Sequence, residues 1–123
     1  FCVTGGVFSE GIDLKNESLI GCIIVGTGIP QICTERKLLK DYYDAKDGNG
    51  YNYAYTYPGM NKVLQAAGRV IRTMEDVGII VLLDERFVRS EYVRLFPEEW
   101  ADYKLCSRND VASMVAGFWK DFK

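Results

Sequence analysis

Apolar residues along this chain form continuous runs in some segments and follow helical spacing in others. The runs from Leu19 to Val25 and from Val77 to Leu83 are almost uninterrupted, and each ends in a polar loop. Continuous apolarity is typical of parallel strands that are buried on both faces. The shorter run from Phe1 to Gly6 ends in a glycine pair and predicts a third buried strand.

Three other segments carry apolar residues at helical spacing. The first follows Thr34 and stops before a turn rich in Gly, Asn and Asp, and the second follows Pro58 and continues through Arg72. The third opens at Ser107, where Ser107 and Asp110 have the spacing of a capping box. We expect the wide apolar face of this last helix to dock on the sheet.

Two polar features allow more than one interpretation. The alternating tyrosines could stack on nucleic-acid bases, but packing of one side of an extended segment against the domain is favoured; they are Tyr51, Tyr53, Tyr55 and Tyr57. Asp84 and Arg86 follow a predicted strand and could pair with each other or with nearby loops. A structural ion pair is the favoured interpretation.

Strands that alternate with helices favour a three-layer α/β domain with a mainly parallel sheet. Ligands of such folds bind outside the carboxyl ends of the strands. A length of 123 residues with 48% apolar residues fits a single domain over residues 1–123. The chain starts with Phe, shows no secretory segment, and has no run near the ~20 apolar residues of a membrane span. We therefore expect a piece of a longer, cytoplasmic protein without membrane contact.

Composition removes several classes of function. Histidine is absent, so histidine-based nucleophilic catalysis within the chain is excluded. A net charge of −2 and a pI near 5.2 argue against a free-standing nucleic-acid binder that relies on a basic surface. The cysteines have long, irregular spacings without a C-x-x-C pair, which indicates a reduced cytosolic environment; they are Cys2, Cys22, Cys33 and Cys106.

The most informative stretch runs from Gln65 to Arg72. At about 100° per residue, a glutamine, a glycine and two arginines share one helical stripe, and the apolar residues gather opposite; the stripe is Gln65, Gly68, Arg69 and Arg72. Guanidinium groups one turn apart can converge on one phosphate. A glycine inside a helix costs about 1 kcal/mol relative to alanine, so Gly68 suggests that a ligand approaches the backbone closely.

A second candidate is the loop that follows the first predicted strand. Gly11 can adopt positive φ and leave backbone N–H groups pointing outward, while Glu10 and Asp13 supply acceptors for hydroxyl groups or arginines. Taken alone, such a loop is more often a simple turn.

Together the two motifs resemble the DinG and XPD group of superfamily two DNA helicases. The segment from Gly6 to Leu14 is similar to helicase motif V, and the segment from Gln65 to Arg72 is similar to motif VI, Q-x-x-G-R-x-x-R. The flanking stretches from Pro58 to Leu64 and from Leu82 to Phe87 also look typical of DinG-like members. The resemblance covers most of the chain from Phe1 to about Trp100.

The resemblance implies that this chain is a truncated second motor domain with a RecA-like, P-loop NTPase-type fold. In this family two RecA-like domains clasp ATP between them. Arg69 and Arg72 would be arginine fingers that reach the γ-phosphate held by the first domain. Gln65 would contact the γ-phosphate region or position the attacking water.

The remaining site residues also follow from the resemblance. Gly11 and Asp13 would lie at the domain interface near the nucleotide, and Gly68 is counted with them as a cofactor-binding residue. Ser9 and Glu10 would couple the nucleotide site to single-stranded DNA.

Some parts of the family's machinery have no match in this sequence. It lacks the phosphate loop G-x-x-x-x-G-K-[ST], an acidic box for Mg²⁺, and the cysteine cluster that holds iron–sulfur in XPD-like members. ATP and Mg²⁺ would therefore be shared with the first motor domain, and any iron–sulfur cluster would belong to the parent protein alone.

We expect a parent helicase with a role in DNA repair and an isolated chain that is inactive. The alternative is a RecA-like scaffold or interaction module that has lost its motor. Upstream sequence with or without a phosphate loop would separate the two.

Overall fold

The computed structural model describes residues 1–6 and 19–122. In chain order its strands and α-helices are β1 (Gly21–Val25), α1 (Thr34–Asp47), α2 (Tyr57–Ala67), β2 (Ile79–Leu83), α3 (Ser90–Val93) and α4 (Val111–Asp121). A π-helical segment, Asn52–Thr56, leads into α2, and 3₁₀ turns at Glu85–Val88 and Glu98–Trp100 lie on either side of α3.

The two strands pair in parallel, with Gly21 opposite Ile79 and Val25 opposite Leu83. The chain between them forms α1, the π-helical segment and α2, which is the crossover that a parallel pair requires. The two long apolar runs are therefore strands, as predicted. A mixed helix and strand fold with a parallel sheet agrees with a truncated RecA-like domain.

One face of the sheet packs against α2. Ile24 is buried against a cluster from α2 and the segment after β2; its other members are Met60, Val63, Ala67, Phe87 and Tyr92. Cys22, Ile80 and Leu82 flank this cluster from the same two strands. Complete burial of an aliphatic or aromatic side chain contributes about 1.5–3 kcal/mol, so this cluster fixes α2 on the sheet.

The opposite face of the sheet is apolar and largely uncovered by the residues described. Ile23, Val25 and Leu83 are 67%, 72% and 58% exposed, respectively. Period-two alternation places them on the side away from Ile24. The described residues thus provide the sheet and a helical layer on one of its faces.

The loop after β1 meets α2 through backbone atoms. A Cβ at Gly59 would lie 2.6 Å from the carbonyl oxygen of Thr27, and one at Gly28 would lie 2.8 Å from the carbonyl oxygen of Gly59. Gly28 also has a φ of 65°, a backbone conformation that residues with a side chain rarely adopt. Two glycines therefore let α2 approach the carboxyl end of β1.

The predicted strand from Phe1 to Gly6 is wrong. Phe1, Cys2 and Val3 are exposed, and the Gly6 N–H donates to the Val3 carbonyl at 2.9 Å to close a turn. A short apolar run becomes a strand only when a neighbouring strand accepts its backbone hydrogen bonds.

The tyrosine segment is helical and not extended. Tyr51 contacts Tyr55 and Tyr53 contacts Tyr57, with ring centroids 5.1 and 5.3 Å apart. Both pairs have i,i+4 spacing, which a helix brings together. Tyr53 also stacks on Tyr43 of α1 at 4.2 Å. Tyrosines at alternate positions are compatible with an extended segment and with a helix. Packing against α1 favours the helix.

Helix α4 does not bury its apolar face. None of its residues is buried, although the predicted stripe is half-buried; those residues are Val111, Met114, Val115, Phe118 and Trp119. The Ser107 hydroxyl donates to the Asp110 carboxylate at 2.5 Å, and the reciprocal capping bonds are not made. The predicted docking on the sheet is wrong for the described residues, because periodicity defines an apolar face and not its partner. No helix described here is both long and apolar enough to cross a bilayer.

Candidate anion-binding site

Gln65, Gly68, Arg69 and Arg72 line one open groove of about 430 Å³. Gln65 lies in the last turn of α2, and the other three residues follow the end of that helix. Arg69 is half-buried, whereas Gln65 and Arg72 are exposed. The structure therefore brings together the four residues that the sequence placed on one stripe.

The helix that carries this stripe is shorter than predicted. It ends at Ala67, and the next turn tightens: the N–H groups of Arg69 and Val70 donate to carbonyls three residues back, at 3.2 and 3.0 Å. Arg72 lies beyond this turn, without regular secondary structure. The prediction of a helix through Arg72 is wrong, and the groove is formed by a helix end and the loop after it.

Gly68 is therefore a helix cap and not an interior glycine. Its φ and ψ are −64° and −7°, and its N–H donates to the Leu64 carbonyl. A Cβ at this position would lie 3.3 Å from that same carbonyl oxygen. The interpretation of Gly68 as a mid-helix glycine is wrong, since the helix ends at Ala67 and Gly68 is its C-cap.

Val70 anchors the segment between the two arginines. It is 4% exposed, and a Cβ at Gly78 would overlap its Cγ1 atom. Gly78 directly precedes β2, whose Ile79 N–H donates to the Ile20 carbonyl at 3.0 Å. A buried valine thus ties the groove to the start of the second strand.

Asp76, which no sequence motif singled out, organises the turn after Arg72. Its Oδ2 atom accepts hydrogen bonds from the N–H groups of Arg72 and Thr73, at 2.9 and 2.8 Å. The Thr73 hydroxyl accepts from the Glu75 N–H at 3.3 Å. The hydrogen bonds that the Asp76 carboxylate accepts lower its pKa. The bond from the Arg72 N–H has the largest effect, and the bond from the Thr73 N–H comes next. The sequence signal for this turn was a Thr and an Asp three residues apart, since both residue types favour turns.

Lys62 is a second residue near the groove that no sequence motif singled out. It lies three residues before Gln65 on α2, so both belong to one side of the helix. A Cβ at Gly5 would lie 3.5 Å from the Lys62 Nζ atom. The segment that leads into the motif V-like loop therefore passes beside the helix that carries the groove.

Asp84 and Arg86 form the predicted structural ion pair. The Arg86 Nε and Nη2 atoms donate to the two Asp84 oxygens at 2.9 and 2.7 Å, and the Arg86 backbone N–H donates to Oδ1 at 2.8 Å. The side-chain hydrogen bonds from Arg86 are the main cause that lowers the pKa of Asp84 to about 2. This arginine is committed to the turn after β2.

The predicted residues of the motif V-like loop lie outside the described residues; they are Ser9, Glu10, Gly11 and Asp13. Within residues 1–6 and 19–122, no group of three His, Cys, Asp or Glu side chains could hold a metal ion. The four cysteines form no disulfide.

Comparison with known proteins is consistent with this arrangement. Residues 1–103 match the family model of the helicase C-terminal domain. The chain is 31% identical over 101 residues to the ATP-dependent DNA helicase DinG of Photobacterium profundum, covering 80% of this chain and 14% of that protein. It is 34% identical over 103 residues to the general transcription and DNA repair factor IIH helicase subunit XPD of Dictyostelium discoideum, covering 78% and 12%.

A third relative is the regulator of telomere elongation helicase 1 homolog of Caenorhabditis briggsae, 33% identical over 130 residues that cover 97% of this chain and 13% of that protein. The chain thus spans a small part of the length of each of these relatives. The match of the family model over most of the chain, together with these relatives, shows that the chain belongs to the helicase C-terminal domain family of the DinG/XPD group in superfamily two.

Proposed function

We propose that the full-length protein is an ATP-dependent DNA helicase that moves on single-stranded DNA, and that this chain is the C-terminal part of its motor. The observation that carries the proposal is the groove in which Gln65, Arg69 and Arg72 converge. Membership of the helicase C-terminal domain family supports it.

In this proposal Arg69 and Arg72 act as arginine fingers. Their planar guanidinium groups match the oxygens of a γ-phosphate held by the first motor domain of the same protein. Gln65 contacts that phosphate or orients the attacking water. A finger contributes about 10³–10⁵ in rate, or roughly 4–7 kcal/mol of barrier, because it meets developing charge in a site from which water is excluded.

The shape of the groove supports a shared site. It is open to solvent, and the polar lining that residues 1–6 and 19–122 provide comes from α2 and the adjoining loop. A second domain that covers it would exclude water and strengthen each charge-assisted hydrogen bond. The residues described offer donors for an anion and no cluster of metal ligands, so Mg²⁺ would be held by residues of the first domain.

The motif V-like loop has a related role in the proposal. Gly11 and Asp13 lie at the domain interface near the nucleotide, and Ser9 and Glu10 couple that site to the DNA strand. The closeness of Gly5 to Lys62 supports this, since the loop begins beside the helix that carries Gln65.

The test is to replace Arg69 or Arg72 with alanine or lysine in the full-length protein and to measure DNA-stimulated ATP hydrolysis. We expect each alanine variant to lose about 10³-fold or more in kcat, with a smaller change in KM for ATP. Lysine should restore little, because it lacks the bidentate fork.

Arg94→Ala is the matched control. Arg94 is exposed and does not line the groove, so its turnover should equal that of the wild type. Turnover near wild type in both the Arg69→Ala and Arg72→Ala proteins would contradict the finger assignment. A full-length protein that shows no ATP hydrolysis at all would favour the scaffold alternative.

A further inference from the structure

Arg72 lies on a segment that neither helix nor strand holds in place. Helix α2 ends at Ala67, the following turn closes at Val70, and β2 begins only at Ile79. Residues 71–75 are all exposed. An exposed loop has no apolar core to set its path, so polar contacts decide where its side chains lie.

We propose that Asp76 is a positioning residue that fixes the backbone of Arg72, so that the Arg72 side chain faces the groove beside Gln65 and Arg69. This inference rests on the proposed function of Arg72. Among the described residues the groove is lined by Gln65, Gly68, Arg69 and Arg72, and Asp76 is not one of them. It acts through the main chain.

The geometry of the turn carries the proposal. One carboxylate oxygen, Asp76 Oδ2, accepts two successive backbone N–H groups, those of Arg72 and Thr73, at 2.9 and 2.8 Å. The Asp76 N–H donates back to the Thr73 carbonyl at 3.3 Å. Hydrogen bonds to an ionised acceptor are shorter and stronger than those between neutral groups, and the side chain and main chain of Asp76 together close the turn.

The anchor on the other side of Arg72 is of a different kind. Val70, two residues earlier, is buried against Gly78. Arg72 is therefore held between an apolar anchor and a polar one. Without the polar anchor, its Cα can shift relative to Arg69, and a displacement of about 1 Å at a reacting centre can cost about 10²-fold in rate.

The experiment compares Asp76→Ala, Asp76→Asn and Asp76→Glu in the full-length protein by DNA-stimulated ATP hydrolysis. We expect Asp76→Ala to lower kcat by about 10- to 100-fold, with KM for ATP and thermal stability near the wild type. Asp76→Asn keeps an acceptor oxygen in place and should retain more turnover than Asp76→Glu, which keeps the charge but moves the oxygen by one methylene. The opposite order would overturn the proposal, because it would show that charge matters and position does not.

Two controls separate positioning from a general structural role. Glu75→Ala removes the neighbouring exposed carboxylate and should leave turnover unchanged. In a double-mutant cycle, Asp76→Ala should add little to the loss caused by Arg72→Ala, because both changes remove the same contribution. Losses that multiply would overturn the proposal.

The outcomes also separate this inference from the proposed function. Wild-type turnover in Arg72→Ala would contradict the finger role, and with it the positioning role. A slow Arg72→Ala protein beside a fast Asp76→Ala protein would contradict the positioning role alone. Should Asp76→Ala fail to fold, the order of the Asn and Glu variants decides.

Discussion

Arg86 and Arg72 each follow a secondary-structure element, but their surroundings assign them different tasks. One edge of the Arg86 guanidinium group, formed by Nε and Nη2, donates to the two Asp84 oxygens at 2.9 and 2.7 Å. Arg72 is tied to Asp76 through its backbone N–H, and its side chain lines the groove. The Asp84 carboxylate thus binds the side chain of an arginine, whereas the Asp76 carboxylate binds the main chain of one.

The Asp84–Arg86 pair should make stability depend on pH. The pKa of Asp84 is about 2 in the folded domain against an ordinary value of 3.8. A lowered pKa stabilises the folded state above the ordinary value, and this contribution is lost as the pH falls through about 2. We expect Asp84→Asn to lower the free energy of unfolding at pH 7 by about 1.5–3 kcal/mol, and this difference should narrow in acid.

Urea unfolding of the domain between pH 7 and pH 2 measures this difference. Glu85→Gln is the control, since Glu85 is 88% exposed and lies 3.8 Å from Arg89, where a surface pair contributes little. A difference between wild type and Asp84→Asn that stays constant over this range would exclude the ion pair as its cause.

At the scale of elements, the connection from α2 to β2 determines the site. Three contacts define it: the tightened helix end, the Val70 contact with Gly78, and the Asp76 turn. The sequence predicted the four residues of the groove because 3.6-residue periodicity holds for the helix end and roughly for the turn after it. It could not predict where the helix stops, because the apolar periodicity continues past Ala67 to Val70, which is buried against Gly78.

Replacing Gly78 with alanine should push Val70 out of its place. Because the new methyl group would overlap Val70 Cγ1, we expect a loss of about 1–3 kcal/mol in the free energy of unfolding. The double variant Val70→Ala/Gly78→Ala should recover part of that loss, since the smaller side chain removes the overlap.

Thermal or urea unfolding measures the series. Gly117→Ala is the matched control, because a Cβ at this position in α4 meets no atom within 4 Å; it should stabilise the helix by up to about 1 kcal/mol. A double variant less stable than the sum of its single changes would contradict the packing of Val70 on Gly78.

At the scale of the whole molecule, two surfaces are left uncovered by the described residues. The arginine groove is open, and one face of the sheet exposes Ile23, Val25 and Leu83. Apolar strands predicted to be buried on both faces are covered on one face by the described residues. This agrees with a chain that covers 12–14% of its DinG, XPD and telomere helicase relatives.

The isolated chain should bind ATP and single-stranded DNA only weakly and should not hydrolyse ATP. It contributes one wall of the proposed nucleotide site, and its net charge of −2 provides no long-range attraction for a polyanion. Calorimetry with ATP and fluorescence anisotropy with labelled DNA, both at physiological salt, check this. Submicromolar binding of either ligand would contradict the expectation of a shared site.

The sequence by itself determined the two strands, the crossover helices, the family and the four residues of the groove. The strands, the helices and the groove residues follow from periodicity, and the family follows from the resemblance of two motifs to those of known helicases; both are local properties of the chain. Tertiary structure alone decided the end of α2 at Ala67, the helical path of the tyrosine segment, and the burial of Val70. The physical reason is that each depends on which surface or acceptor a residue meets across the fold, and a linear pattern does not specify that partner.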